Sequence, residues 1–550
     1  MARRRTKAAP ARSEPATGMN LDKAAMVLTA VALIYWVWYA VYSYNTYQNT
    51  TGAAQDYYYY AFLHPNLQHI LQMAVYGNHI APDQLLVLPV FWVFPSALTL
   101  LVVQSAVFCL TGYVIYHAAK GYLNSDAIAL ALCFAWLFGY ASDQMISFSY
   151  YNEYMIPLFA VLAFHYYSQL QRKLFYISTA LLLGAMEIST VITGAIGLAL
   201  LVHETVSNEN AVLKRERQKM ALGMIGMSIA VLVLYNLIFV SLTSGSYYTS
   251  YNGIFPYGKI GVFPTVPIAA SLLNSSYVHS RNVNTDGFLA TTDVNAIISN
   301  AKLKFGPGVL TMFFNFGVGP VFAPLTAVLA VAPWFGSLLI NNYFGGQQFN
   351  AFFLGGNLIA TLIGTKIGLD WLGRRKMFSD RKMLTALFAS STVAIVVLSY
   401  GIGMIYMHQF LPRQYSMRFL QFNASQQQWT AQLDSITALI PPNASVMGVT
   451  PAIDKMWTRQ YMEGLWGYPY SYYFVPSYIV VDTNFNATDN PAGYEQQLQT
   501  FIHDPGYFGN ATYGGYNFSQ IAAGIFNGTE TYPYALYASN GSVVLYKRVG

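Results

Sequence analysis

Apolar runs of 16 to 23 residues recur along this chain, and that recurrence limits the fold more than any other feature. Coiled as an α-helix, a run of that length matches the hydrocarbon thickness of a bilayer. A soluble protein would need a polar surface to cover so many apolar helices. This chain lacks one: 55% of its 550 residues are hydrophobic, 16% aromatic and only 9% charged. The expected class is an all-α polytopic membrane protein. Cys109 and Cys133 both lie inside apolar runs, so no disulfide framework is implied. A phosphate-binding P-loop, a dinucleotide fingerprint and a His-Glu-x-x-His pair are all missing, and nucleic acid is not among the expected partners.

Charge placement orders the runs. Residues 1–23 carry Arg3, Arg4, Arg5, Lys7, Arg12 and Lys23 among Pro and Ser, the pattern of a disordered cytoplasmic tail. Residues 24–408 form the membrane domain. Ala24 to Ser43 is its first span, followed by a long outer loop, 44–84. Leu85 to Tyr116 is too long for one crossing and is broken at Pro95, giving a short interfacial helix and a span from Ser96. Asp126 to Tyr140 returns outward, 141–150 is an outer loop, and Tyr151 to Ser168 goes back in. Leu174 to His203 has cations on both flanks: Arg172 and Lys173 before it, Lys214, Arg215, Arg217 and Lys219 after it. A hairpin of 174–186 and 188–202 satisfies both flanks, with Glu187 at its apex. Met220 to Leu242 crosses outward into a second long loop, 243–304. Phe305 to Ile340 is a second hairpin broken near Gly317–Pro320, and 350–369 and 383–407 complete the domain.

Seven crossings plus two hairpins place the remainder, 409–550, outside the cell as an α/β domain. A helix is expected over 426–439, strands over 445–449 and 478–482, a helix over 494–503, and a hairpin over 534–547 turning at Asn540–Gly541. Seven Asn-x-Ser/Thr sequons lie there, at Asn423, Asn443, Asn486, Asn510, Asn517, Asn527 and Asn540. The loops add Asn49 and Asn274. That density fits N-glycosylation, although a domain rich in Asn and Ser generates some sequons by chance.

The loop 44–84 draws functional attention because it is long and contains no Lys or Arg. Asp56, beside four tyrosines, suits a general base or, with His79, a metal ligand. The plainer reading is a solvated acid in an interfacial tyrosine belt. Asp83 lies four residues beyond His79. Glu153 and Glu187 are the two acids well within apolar segments, where an ionisable group is costly and commonly functional. Helix-end hydration for Glu153 and an interhelical hydrogen bond for Glu187 are the structural alternatives. Lys302 and Arg413 are cations placed to hold a phosphate, or simply to anchor lipid headgroups.

The run from Asn78 to Tyr116 resembles the membrane family called domain of unknown function 2079. Its His, Pro and Leu-Leu-x-x-Gln features correspond here to His79, Pro82, Pro89 and Leu100 to Gln104. The family's early Asp is similar to Asp56, its Phe-His-Pro-Glu stretch to YYNE ending at Glu153, and its Lys-Glu to Met186–Glu187. The runs FNFGVGPVFAPLTAVLAVAPWFGSLLINN and IPPNASVMGVTPAI are similar as well. Tyr151 stands where the family has His, and Met186 where it has Lys. The resemblance implies a GT-C-like fold, a polyprenyl-phosphate sugar donor and a base or metal ligand at Asp56. An oligosaccharyltransferase would carry a Trp-Trp-Asp-Tyr-Gly-like run, and WGYPY from Trp466 lacks the Asp.

The leading expectation is therefore an integral membrane glycosyltransferase moving a sugar from a lipid phosphate to an exported glycan or protein acceptor. Asp56 takes the acceptor proton, His79, Asp83, Glu153 and Glu187 line the cavity, and Lys302 or Arg413 holds the leaving phosphate. A divalent metal at Asp56 and His79 is the open cofactor question. The alternatives are a non-catalytic lipid or polysaccharide transporter and a membrane-anchored protein that binds the cell envelope.

Overall fold

The computed structural model describes residues 23–48, 75–76, 79–146, 150, 152–186, 188–207, 210–243, 313–333, 350–375, 380–406 and 424–448. Of the remaining tail it describes 455–456, 462–464, 477–482, 512–513, 516–517 and 534–548. The helical part contains α1 (Lys23–Gln48), α2 (Leu88–Val93), α3 (Ala97–Leu123), α4 (Asp126–Phe138), α5 (Tyr140–Ile146) and α6 (Met155–Ser168). It continues through α7 (Arg172–Gly184), α8 (Ser189–Val206), α9 (Ala211–Thr243), α10 (Gly319–Phe322), α11 (Pro324–Ala330), α12 (Ala351–Gly373) and α13 (Arg381–Tyr406). Six of these helices, α1, α3, α8, α9, α12 and α13, are long and apolar enough to cross a membrane. At 13 and 14 residues, α4 and α6 are apolar but only about 20 Å long.

Local chemistry explains the breaks. Pro95 separates α2 from α3, and Ser96 caps α3 by accepting a hydrogen bond from the Leu98 N–H at 3.2 Å. At its other end α3 stops in a left-handed residue, Asn124 (φ 53°), and Lys120 pairs with Asp126 at 2.8 Å. Residues 172–184 and 189–206 form two arms that run back along one another. Arg172 pairs with Glu216, and Arg217 reaches both Glu204 (3.9 Å) and the Ser168 carbonyl (3.2 Å). The first arm's start and the second arm's end therefore share one end of the bundle. Opposite, the Tyr235 hydroxyl donates to the Leu183 carbonyl at 3.0 Å, and the Ser228 hydroxyl to that of Thr190 at 2.6 Å.

Helix α12 is the centre. Its most apolar window is 83% buried, against 28% for α1, α9 and α13. Small residues let neighbouring backbones approach it, as is usual where lipid supplies no hydrophobic drive between helices. A Cβ on Gly364 would lie 1.9 Å from the Gly319 carbonyl oxygen, and one on Gly356 would lie 2.3 Å from that of Ala330. Ala199, Ala327, Ala330 and Ala360 form a sealed contact where α8, α11 and α12 meet. The turn before α10 uses Gly317 at φ +114°, where a side chain would also meet Thr392 Oγ1 at 2.5 Å.

The C-terminal part is α/β. Helix α14 (Ala424–Thr437) packs on a five-stranded mixed sheet of β3 (Val446–Gly448), β4 (Met462–Gly464), β5 (Tyr478–Asp482), β8 (Tyr534–Asn540) and β9 (Val543–Arg548). Two short antiparallel pairs complete the strands: β1 (Val75–Tyr76) with β2 (His79–Ile80), and β6 (Thr512–Tyr513) with β7 (Tyr516–Asn517). Strand order is β4-β3-β5-β9-β8, with β3 parallel to both neighbours and β9 antiparallel to both of its own. Leu433, Ile436, Val446, Val480, Val543 and Leu545 fill the core between helix and sheet. The hairpin turns one residue later than expected. Asn540 pairs with Val543, and Gly541 alone has positive φ (+60°), the signature of a II′ turn with glycine first rather than an Asn-Gly I′ turn. The expected helix over 494–503 lies outside the described residues.

Candidate functional site

The described charges of the helical part separate by end. Lys120 with Asp126, Arg172 with Glu216 and Arg217 with Glu204 gather where α3, α6 and α8 finish. Asp83, Asp143 and Glu153 lie toward the other end, where the described residues of the helical part include no Lys or Arg.

Asp83 sits in a 3-10 turn, Pro82–Leu86, that abuts the apex of the α7–α8 hairpin. A Cβ on Gly184 would meet Asp83 Oδ1 at 2.4 Å and Pro82 at 3.5 Å, so the carboxyl packs directly against Gly184. Its side is sealed: Asp83 is 6% exposed and Gln84 0%. Asp83 Oδ2 and both polar atoms of the Gln84 amide have no hydrogen-bond partner among the described residues. Burial without a compensating charge pushes the Asp83 carboxyl up to about 8, so at neutral pH it is protonated. Burial raises the Tyr154 phenol well above its ordinary value, and Tyr150 and, once ionised, Asp83 lie close enough to add to it. Tyr154 shares a second 3-10 turn, Asn152–Tyr154, with Glu153, which is 3% exposed. The turn holding Asp83, the turn holding Glu153 and the hairpin apex therefore converge. Glu187 belongs to that apex by sequence but lies outside the described residues, as do Asp56, Lys302 and Arg413. His79 is described by its backbone alone, paired with Tyr76.

A third acid was missed in the sequence. Residues 141–150 read as an outer loop, but α5 spans Tyr140–Ile146, with Ser142 and Asp143 both 0% exposed. The Tyr39 hydroxyl donates to Asp143 Oδ1 at 2.6 Å, and the Tyr35 hydroxyl to the Leu137 carbonyl, which ties α1 to this segment. Asn315 and Asn350 grip the Ala141 peptide from two distant parts of the chain. The signal available in the sequence was the pairing of buried-type aromatics in α1 with an acid just beyond α4.

Among the described residues, no three His, Cys, Asp or Glu side chains come together in a metal-binding group. Of the sequons, Asn443 and Asn540 are exposed, and Asn540 Nδ2 donates to Ser435 Oγ at 2.8 Å. Asn517 lies in β7, and the other six lie outside the described residues. Both cysteines are free and buried.

A family model described as "Predicted membrane protein (DUF2079)" matches residues 44–499. No curated protein matches the chain. Among solved structures, the Archaeoglobus fulgidus oligosaccharyltransferase, tethered with an acceptor peptide containing an NVT sequon, aligns at 12% identity. Its TM-score is 0.41, over 88% of this chain and 71% of that one. At that score and identity the likeness carries no functional inference.

Proposed function

We propose, for a chain that belongs to the DUF2079 family of predicted membrane proteins, that it is a membrane glycosyltransferase using a polyprenyl-phosphate sugar. The acceptor is an exported glycan or protein. The acceptor hydroxyl attacks the anomeric carbon, the bond from that carbon to the phosphate oxygen breaks, and the polyprenyl phosphate leaves with the bond's electrons. Asp56 takes the hydroxyl proton as general base. His79, Glu153 and Glu187 line the cavity, and Lys302 or Arg413 neutralises the leaving phosphate.

The observation that supports this reading is the Asp83 turn. A sealed, uncompensated carboxyl is costly to keep, and here it lies against a hairpin apex and near the turn that holds Glu153. A neutral carboxyl is a hydrogen-bond donor, which suits a phosphate or sugar oxygen better than a cation. On this reading the acid end faces outward, with residues 409–550 on the same side and the basic end in the cytoplasm.

The test is release of polyprenyl phosphate from radiolabelled polyprenyl-phosphate hexoses by the purified full chain. Asp56→Asn is expected to slow turnover by about 10²–10⁴-fold with donor binding little changed. Wild-type turnover in a well-folded Asp56→Asn protein would remove Asp56 from the mechanism.

A further inference from the structure

Ala141 is held at both ends of its peptide. Its N–H donates to Asn315 Oδ1 at 3.4 Å, and its carbonyl accepts from Asn350 Nδ2 at 2.9 Å. Those bonds fix both side-chain amides, because a backbone N–H only donates and a backbone carbonyl only accepts. Asn315 is left presenting its Nδ2 and Asn350 its Oδ1. Neither atom has a partner among the described residues, and neither has the hydroxyl of Ser142, the next residue on α5. All three side chains are 0% or 1% exposed. Around Ala141 the chain thus leaves a donor, an acceptor and a group that is both, and each is costly to leave unmet.

The surroundings limit what can meet them. Asn350 Oδ1 can only accept, so a phosphate or other anion, which offers acceptors alone, would leave it unmet. A cation would want several anionic ligands, and the described residues hold no such group. A neutral molecule bearing hydroxyls both donates and accepts at short spacing, as these three atoms require.

We propose that Ser142, Asn315 and Asn350 form a subsite for the glycosyl ring of the donor. The identity of the ligand rests on the glycosyltransferase reading; the polarity of the site rests on the geometry alone. The cluster is closed in this conformation, so the ring enters as one wall opens.

The test measures binding of radiolabelled polyprenyl-phosphate glucose, polyprenyl-phosphate mannose and bare polyprenyl phosphate. The full chain is held in amine-oxide micelles, which contain no sugar headgroup to compete. Wild type is expected to bind at least one glycosylated lipid more tightly than the bare phosphate. Ser142→Ala removes one hydroxyl without touching the Ala141 grip. It should weaken the glycosylated lipid about five- to tenfold and leave the bare lipid unchanged. Asn315→Leu should abolish the preference, provided the protein remains folded by circular dichroism. Three outcomes overturn the proposal: no preference in wild type, equal weakening of both lipids, or variants that lose thermal stability while keeping the preference, which marks a site for ordered water only. The two readings fail separately. Sugar-selective binding that Ser142→Ala weakens, without any transfer, sinks the transferase and keeps the subsite. Transfer with an unchanged donor KM in Ser142→Ala does the reverse.

Discussion

Replacing Asp83 with Asn should change how stability depends on pH. An unfolded, solvated aspartate titrates near 3.8, and burial moves this one to about 8 in the fold. Between those values the folded chain holds one proton that the unfolded chain has released. Stability therefore falls as pH rises, by about 1.4 kcal/mol per unit. Below about pH 4 both states are protonated and the contribution is level. Above about pH 8 both are ionised and the full cost of burying the charge is in place. Asp83 is 6% exposed, so solvent screening takes little from this figure. From pH 5 to pH 7 the expected loss attributable to Asp83 is about 3 kcal/mol. Asp83→Asn keeps the shape against Gly184 and does not titrate. The assay is unfolding of both proteins in micelles at pH 5, 6, 7 and 8, followed by tryptophan fluorescence. The stability advantage of Asp83→Asn should grow steadily over that range and level off above it. An advantage that does not vary with pH would mean the carboxylate is ionised in the fold, and the reasoning about the sealed turn would fail.

Four further outcomes follow from the packing and the hairpin. Gly364→Ala should destabilise by about 1–3 kcal/mol, because the new methyl meets a backbone oxygen that cannot swing aside. Gly226→Ala has nothing within 4 Å and should gain up to about 1 kcal/mol from helix propensity. Thermal unfolding of the two compares them directly, and equal midpoints would refute the close approach. Cysteines placed at Lys173 and Arg215, both exposed, should react with a membrane-impermeant maleimide from one face only, and the same face for both. Labelling from opposite faces would break the hairpin. Glu204→Ala strips the sealed partner from Arg217 and Tyr167 and should cost about 3–5 kcal/mol in unfolding free energy.

Much of the helical part was legible because its signals are local. Pro95 marks its own break, and the cations flanking 174–202 reveal a hairpin that hydropathy alone would join into one helix. The buried α5 was not legible. Residues 141–143 look like a loop until partners arrive, Tyr39 for Asp143 and Asn315 and Asn350 for Ala141, up to 209 residues away. Strand β4, Met462–Gly464, is three residues long with a Glu in the middle, too short to show a period. The hairpin at Gly541 was placed correctly but turned one residue late, because an Asn-Gly pair does not distinguish the two turn types that glycine permits. Of the candidate site, Asp83 and Glu153 stand out in the sequence by position, and the fold buries both. Asp143 was passed over because its environment is built by tertiary contacts.

The glycine contacts of α12 divide the molecule into fixed and movable parts. Where two backbones touch, a helix cannot turn about its axis without driving a neighbouring side chain into main chain. Gly319 against Gly364 and Ala330 against Gly356 impose that condition at two heights on one helix. Helix α12 therefore behaves as a stator. On the proposed function, any motion that admits and releases the lipid donor falls to helices with freer faces, and α1, α9 and α13 are the least enclosed of the long ones. Of these, α1 carries Tyr39 and α9 carries the Tyr235 that reaches the hairpin apex. A tilt of either would be felt at the acids while the core stayed still.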